Sequence, residues 1–325
     1  MTKTLTDITT RDPEADAQRL AERLAFFERR TPESASPPQV LEHPFIAVDS
    51  PRGLPEVHAR DLTSSVLRSA IHEQGCLLVR ELAPAHLMGG LTEIIDAVMA
   101  ATEECDKSDD NHKSHHPAFA TPPQNFERLL PQPKLGWSRA FHRNGGSAMC
   151  VESAGVAESL LEMYASLGLK DLLTHFLGEP PCLSALKWVL RRPKLPIQPD
   201  GWHQDGAFMG REINSINMWL AVNACGGQSG APSMDLVPRR LTEIFKAGTD
   251  GAVFDWSISS EAIFEEFGAN SIVTPAFEPG DALFFDHFLI HRTQFAQHLH
   301  HHRYALETWF FGERHYPANQ VPLRW

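Results

Sequence analysis

The sequence contains no run of about 18 apolar residues, so no segment has the length and composition of a membrane-spanning helix. Its opening, MTKTLTDITTRDPEADAQRL, lacks the apolar centre that a secretory signal needs, and a cytosolic protein is expected. Basic residues are also short. The 29 Lys and Arg stand against 41 Asp and Glu, for a formal net charge of −12. That charge repels nucleic acid and anionic membrane surfaces alike, which leaves small molecules as the expected partners. Cysteine is scarce too: Cys76, Cys105, Cys150, Cys182 and Cys225 are odd in number, widely spread and without any Cys-x-x-Cys. Neither a disulfide framework nor a zinc knuckle fits them, and they read as reduced thiols. No internal repeat is present, and the one low-complexity stretch is HLHHH. What the chain does have is apolar material, 42% of 325 residues, enough to bury a large core as one sizeable domain with an extension.

Residues 12–30, DPEADAQRLAERLAFFERR, space Ala, Leu and Phe at helical intervals after an Asp-Pro start, and TPESASPPQ then breaks the pattern. A helical N-terminal extension is expected over 1–60, with the main domain at 61–325. From residue 61 the order is helix (DLTSSVLRSAIHEQ), short apolar strand (CLLVREL) and long helix (PAHLMGGLTEIIDAVMAATEE), with Gly89 and Gly90 weakening the middle of the last. Residues 105–147 are polar and rich in Pro and His, and a loop of that length in a compact domain is expected to act as a lid. After the helix VAESLLEMYASLGLKDLLTHFLG, short β-type runs separated by turn residues continue to the end. Many short strands without alternating helices predict an antiparallel β barrel or sandwich with helices on one side, an α+β protein with a mainly β core.

The chemistry lies on these strands. In GWHQDGAFMG, a strand over WHQD would project His203 and Asp205 to one face, because side chains at i and i+2 point the same way. Two such groups make a preformed metal edge, and His291, after the GDALFF strand, can supply a third ligand. Two histidines and one carboxylate on one face of a metal leave positions open, the facial triad of non-haem Fe(II) sites. An anionic co-substrate there needs an anchor, and arginine pairs a carboxylate with a planar fork. Arg303, twelve residues beyond His291, opens the last β run and shares a face with Ala305, Glu307 and Trp309. In INSINMWLAV, Ser215, Asn217, Trp219 and Ala221 form a mixed face suited to a small-molecule cavity, with Asn217 and Trp219 as site candidates.

WHQDG, NMWLAV, PGDALFFDHFLIHRT and RYALETWFF, in that order, resemble the phytanoyl-CoA dioxygenase family of Fe(II)- and 2-oxoglutarate-dependent oxygenases. The resemblance is strongest over 183–311, and residues 1–60 and the 105–147 segment take no part in it. It implies a double-stranded β-helix (jelly roll, cupin-like) surrounded by helices. It implies Fe(II) held by His203, Asp205 and His291, with Arg303 on the distal carboxylate of 2-oxoglutarate and Thr293 assisting. Gln204 and Trp219 match positions near the co-substrate. Halogenating relatives lack the carboxylate ligand, so the presence of Asp205 favours hydroxylation of a small organic substrate, with O2 consumed and 2-oxoglutarate converted to succinate and CO2.

Other candidates have plainer readings. His287 lies four residues before His291 and competes as third ligand, but His291 followed by Arg-Thr fits the family pattern. His298, His300, His301 and His302 read as a solvated turn, and His112, His115 and His116 as lid histidines. His142 and Arg143 are possible substrate contacts. Lys187 and Arg191 share a strand face, where one could meet a carboxylate, and Arg239 and Arg240 read as surface residues. The alternative to an oxygenase is a non-catalytic or zinc-binding jelly roll, since His2Asp also holds Zn2+. A third reading, a scaffold built on the N-terminal helix, rests on AQRLAERLAFFERR alone.

Overall fold

In the computed structural model the described residues are 11–28, 30–33, 45–110, 113–116, 127–128, 133–197, 201–249 and 251–325. The chain begins with α1 (Pro13–Ala25), then β1 (Glu56–His58), α2 (Ser64–Gln74), β2 (Cys76–Arg80), α3 (Ala85–Cys105), α4 (Pro133–Asn144), β3 (Ser147–Met149), α5 (Ala154–Ser166) and α6 (Leu169–Leu177). A β-rich half follows: β4 (Pro181–Arg191), β5 (Trp202–His203), α7 (Gly206–Met209), β6 (Ser215–Ala221), β7 (Met234–Val237), β8 (Ser257–Ile258), α8 (Ser260–Phe267), β9 (Ala282–Phe285), β10 (Ile290–Thr293), β11 (Ala305–Gly312) and β12 (Pro322–Arg324). None of the described helices is long and apolar enough to cross a membrane.

Local signals explain the helix ends. The Asp12 carboxylate caps α1 by accepting from the Glu14 and Ala15 amides, with Pro13 at the first turn, where its missing N–H costs nothing. Thr63 caps α2, which stops at Gly75 in the left-handed region (φ 75°). The 21-residue α3 runs straight through Gly89 and Gly90, because Leu87, Leu91, Ile95 and Val98 bury one continuous stripe. That burial outweighs the roughly 1 kcal/mol each glycine costs.

The strands form two sheets. The larger has the order β1-β2-β9-β6-β11-β4-β12, with β3 also on β4, and the smaller is β7-β10-β5-β8. Apart from β1–β2, which is parallel, the pairings are antiparallel, giving a double-stranded β-helix, or jelly roll. Alternation along each strand separates two cores. Trp188, Leu190, Ile216, Met218, Leu306 and Phe310 point outward, where Leu67, Leu91, Leu160 and Leu173 of the helices cover them. Trp219, Leu283, Phe285, Trp309 and Phe311 point inward against Met234 and Leu236 of the smaller sheet and Leu289 just before β10. The helices therefore cover the outer face of the large sheet and leave its inner face for the site.

Two local departures from the sequence reading matter. The strand expected over WHQD is only two residues long: Gln204 lies outside it and Asp205 caps α7 with helical backbone (φ −61°, ψ −25°). Within the segment expected to be loop, residues 133–144 form α4, in which Pro133 suits the first helical position and Leu135 is fully buried. Most of the remaining segment, including His112, lies outside the described residues. Near the N-terminus, α1 packs on α5: Asp16, fully buried, pairs with Arg11 and Arg19, and Arg23 holds Glu158 at 2.7 Å.

Candidate metal centre

β5 and β10 are neighbours in the small sheet with His203 directly opposite His291, and their ring centres are 4.3 Å apart. Asp205, two residues after His203, turns back toward both. Its Oδ1 lies 4.0 Å from His203 Nε2 and its Oδ2 lies 3.8 Å from His291 Nε2. One ligand-type atom from each residue falls within 4.8 Å of the others, the only such cluster among the described residues. The backbone sets the tautomers. His203 Nδ1 faces the Gly201 carbonyl and His291 Nδ1 the Leu289 carbonyl at 3.1 Å. A carbonyl can only accept, so each Nδ1 carries the proton and each Nε2 presents a lone pair to the shared space.

The electrostatics suit a cation. Burial, then the His291 ring, push His203 well below the usual imidazole range, so it stays neutral. Burial raises Asp205 against the pull of His291 and Lys187. A carboxylate held up by desolvation, with the two Nε2 atoms facing the same space, is relieved by a divalent ion in their midst.

His287, the competing ligand, is turned away. Its Nδ1 meets Ser215 Oγ at 2.9 Å, its Nε2 donates to the Arg211 carbonyl at 2.9 Å, and burial lowers its pKa to about 4. It sits in the turn between β9 and β10, buried, as a brace. Gly206 packs against it so closely that a Cβ there would sit 3.0 Å from the His287 ring and carbonyl oxygen and 2.9 Å from Ile244 Cδ1. Glycine after Asp205 thus lets α7 start under His287.

Arg303 lies 3% exposed just before β11. It donates to the Ser233 carbonyl at 2.9 Å and to Thr293 Oγ1 at 3.2 Å, and its guanidinium sits 5.4 Å from the Trp219 ring centre. The structure thus gathers Arg303, Thr293 and Trp219. Arg303 pairs with no carboxylate among the described residues, its Nε has no partner, and burial lowers its pKa to about 10. Asn217, fully buried, has neither amide atom partnered, and its cross-strand neighbour Trp309 has a free indole N–H. A buried cation and open polar atoms on one inner face fit an anionic group.

Gln204 is placed elsewhere. Its amide donates to the Glu243 and Phe288 carbonyls at 3.0 and 2.7 Å and accepts from the Phe245 amide at 2.7 Å, so it ties loops together behind the metal strand. As the residue between two inward-facing ligands it points outward. His142 is likewise committed, donating to the Leu186 carbonyl at 2.7 Å, and burial lowers its pKa to about 3. Arg143 pairs with Asp106, and Arg240 with the buried Asp286 rather than lying free on the surface. His298, His300, His301 and His302 are exposed, as expected of a turn. The sequence placed Glu307 on the face of Arg303 but gave it no role; in the structure it shares the inner face with Lys187 and Arg191. Burial pushes its carboxyl up, but paired Arg191 and nearby Lys187 outweigh that and hold it at about 2.

Fold and site together define a jelly-roll protein with a His-x-Asp…His cluster and, inside the barrel, a buried arginine that no carboxylate among the described residues compensates. No family model matches the chain, and no curated protein matches it. Among solved structures it is similar to the non-haem alpha-ketoglutarate-dependent epimerase SnoN from nogalamycin biosynthesis (11% identity, 78% of this chain and 86% of that one, TM-score 0.45). It is similar also to EvdO2 from Micromonospora carbonacea var. aurantiaca complexed with 2-oxoglutarate (14%, 80% and 91%, 0.48) and to EctD from S. alaskensis with bound Fe (14%, 78% and 78%, 0.48).

Proposed function

We propose that this chain is an Fe(II)- and 2-oxoglutarate-dependent oxygenase that hydroxylates a small organic molecule, in a subfamily resembling the phytanoyl-CoA dioxygenases. The observation that carries the reading is one conjunction: a metal-competent His203–Asp205–His291 cluster, and a buried Arg303 that has hydrogen-bonding capacity to spare and no anion among the described residues. A zinc-binding jelly roll uses the first and leaves the second unexplained.

His203, Asp205 and His291 would hold the metal, and Arg303 the distal carboxylate of 2-oxoglutarate. Bound there, iron and 2-oxoglutarate supply oxygen activation coupled to decarboxylation of the co-substrate to succinate and CO2. The chain's own residues do the placing. Gly201 and Leu289 carbonyls aim the two Nε2 atoms, Thr293 and Ser233 hold the Arg303 fork, and Trp219 and Trp309 wall off water. A dry cavity strengthens the arginine–carboxylate pair and protects the reacting centre from solvent.

The test is anaerobic calorimetric titration of metal-free protein with Fe(II), then with 2-oxoglutarate, followed by succinate release on admitting oxygen. One iron, one metal-dependent 2-oxoglutarate site and oxygen-dependent succinate are expected. Tight zinc binding with no 2-oxoglutarate site would return the chain to the non-catalytic reading.

A further inference from the structure

At the mouth of the metal centre stands a group of side chains with no part in holding metal or co-substrate. Lys187 of β4 extends its ammonium to 4.3 Å from the Phe208 ring centre and 5.8 Å from that of Phe141. Phe208 also lies 6.5 Å from the His203 ring and 5.9 Å from Trp256, while Trp256 stands edge-on to His203 at 5.4 Å. Phe254 stacks on Trp256 at 4.8 Å and is 46% exposed, and Phe141 is 50% exposed. His203 is the most open of the three ligand-type residues, its side chain 22% exposed against 4% for Asp205 and 9% for His291. The rings therefore border the side from which a substrate reaches the metal.

Charge singles out Lys187. Arg191, four residues along the same strand, is neutralised by Glu307. Lys187 feels the charges of Asp205 and Glu307, but among the described residues it pairs with neither. Load the site as proposed: Asp205 and the near carboxylate of 2-oxoglutarate balance the divalent ion, and Arg303 balances the far carboxylate. One positive charge, the Lys187 ammonium, remains, and an ammonium in a largely desolvated place without an anion is unfavourable. Burial already pushes its pKa down.

We infer that Lys187 receives a carboxylate of the substrate, and that the substrate is a carboxylic acid with a flat apolar body lying against Phe208, Phe141 and Trp256. This rests on the oxygenase reading above. Flat rings match the exposed faces of such side chains, and one charged group at the edge fixes orientation. Phe208, whose ring stands between Lys187 and His203, sets the span between the anchored carboxylate and the metal.

The experiment measures equilibrium binding under anaerobic conditions, so that no turnover is needed. Protein loaded with Fe(II) and 2-oxoglutarate is titrated with phenylacetate, 3-phenylpropanoate and 4-phenylbutanoate and with their primary amides. At least one acid should bind more than tenfold tighter than its amide. Lys187→Met should erase that preference while keeping the affinities for Fe(II) and 2-oxoglutarate within about twofold, and Lys187→Arg should retain most of it. Equal affinity for acid and amide in the wild type, or no binding by any of the acids, would overturn the inference. So would a Lys187→Met protein that loses 2-oxoglutarate affinity and keeps its acid preference, because Lys187 would then serve the co-substrate. Should Lys187→Met not fold, the wild-type acid–amide comparison and Lys187→Arg decide the matter. Failure of the oxygenase reading looks different: 2-oxoglutarate then does not bind at all.

Discussion

At the scale of single residues, Arg303 separates the two readings of the site. If its fork holds the distal carboxylate of 2-oxoglutarate, Arg303→Ala leaves a buried anion without its partner, a loss on the order of 2 to 5 kcal/mol. The dissociation constant for 2-oxoglutarate should rise more than tenfold in calorimetry while Fe(II) affinity stays. Arg303→Lys should recover only part, since an ammonium lacks the planar fork. Thr293 bonds Arg303 through one hydroxyl, so Thr293→Val should weaken 2-oxoglutarate binding by about 1 kcal/mol, through a tilted guanidinium. His203→Ala, Asp205→Ala and His291→Ala should each abolish tight Fe(II) binding and leave the fold intact, as iron stoichiometry and circular dichroism will report. Stoichiometric iron in His291→Ala would remove it from the ligand set. Most of these residues were legible as types at fixed intervals. Arg303's lack of a counter-ion was not, because pairing depends on what the rest of the barrel brings within reach.

At the scale of elements, α7 controls the position of Asp205. The helix begins beneath His287, where Gly206 donates its N–H to the His287 carbonyl at 2.8 Å and leaves no room for a methyl group. Gly206→Ala must push α7 or His287 aside, an overpacking cost of about 1 to 3 kcal/mol. Because Asp205 is the residue before, Fe(II) affinity should fall along with the melting temperature. A variant with a lower melting temperature and unchanged iron binding would show that α7 can shift without moving the carboxylate. The same element marks a limit of periodicity. His203 and Asp205 do converge, but through a strand that ends and a helix cap, not through alternation along one strand. The α4 helix escaped notice for a related reason: Pro, Gly and scattered polar residues obscure a helix whose burial is confined to few positions, Leu135 and His142 among them.

For the whole molecule, buried neutral histidines tie stability to acidity. His142 and His287 have folded pKa values near 3 and 4, against about 6.5 in an unfolded chain. As pH falls below about 6.5 the unfolded state takes up protons that the folded state refuses. Their contribution is therefore fully present above pH 6.5 and is lost on the way down toward pH 4 and 3. Each adds about 1 kcal/mol per pH unit to the slope of stability between pH 5 and 6. Asp286 opposes them: burial raises it to about 6 against the pull of Arg240, so it gains stability as pH falls through that value. Denaturant titrations of wild type, His142→Gln and His287→Gln across pH 5 to 6.5 should give shallower slopes for each variant by about that amount. Unchanged slopes would mean these rings charge in place.

The sequence by itself determined what depends on nearest neighbours and spacing: the helix start at Asp12, the antiparallel β half, the inward parity of Trp219 and Glu307, and the residue types a metal requires. Those signals are written in intervals of two and about four residues, which a linear reading can see. Only the tertiary structure decided that His291 rather than His287 faces Asp205, that Gln204 serves the loops, that Glu307 neutralises Arg191, and that Arg303 and Lys187 find no anion among the described residues. Each of those depends on partners some 40 to more than 100 residues apart in the chain, brought together by strand register and by the burial that makes an unpaired charge costly.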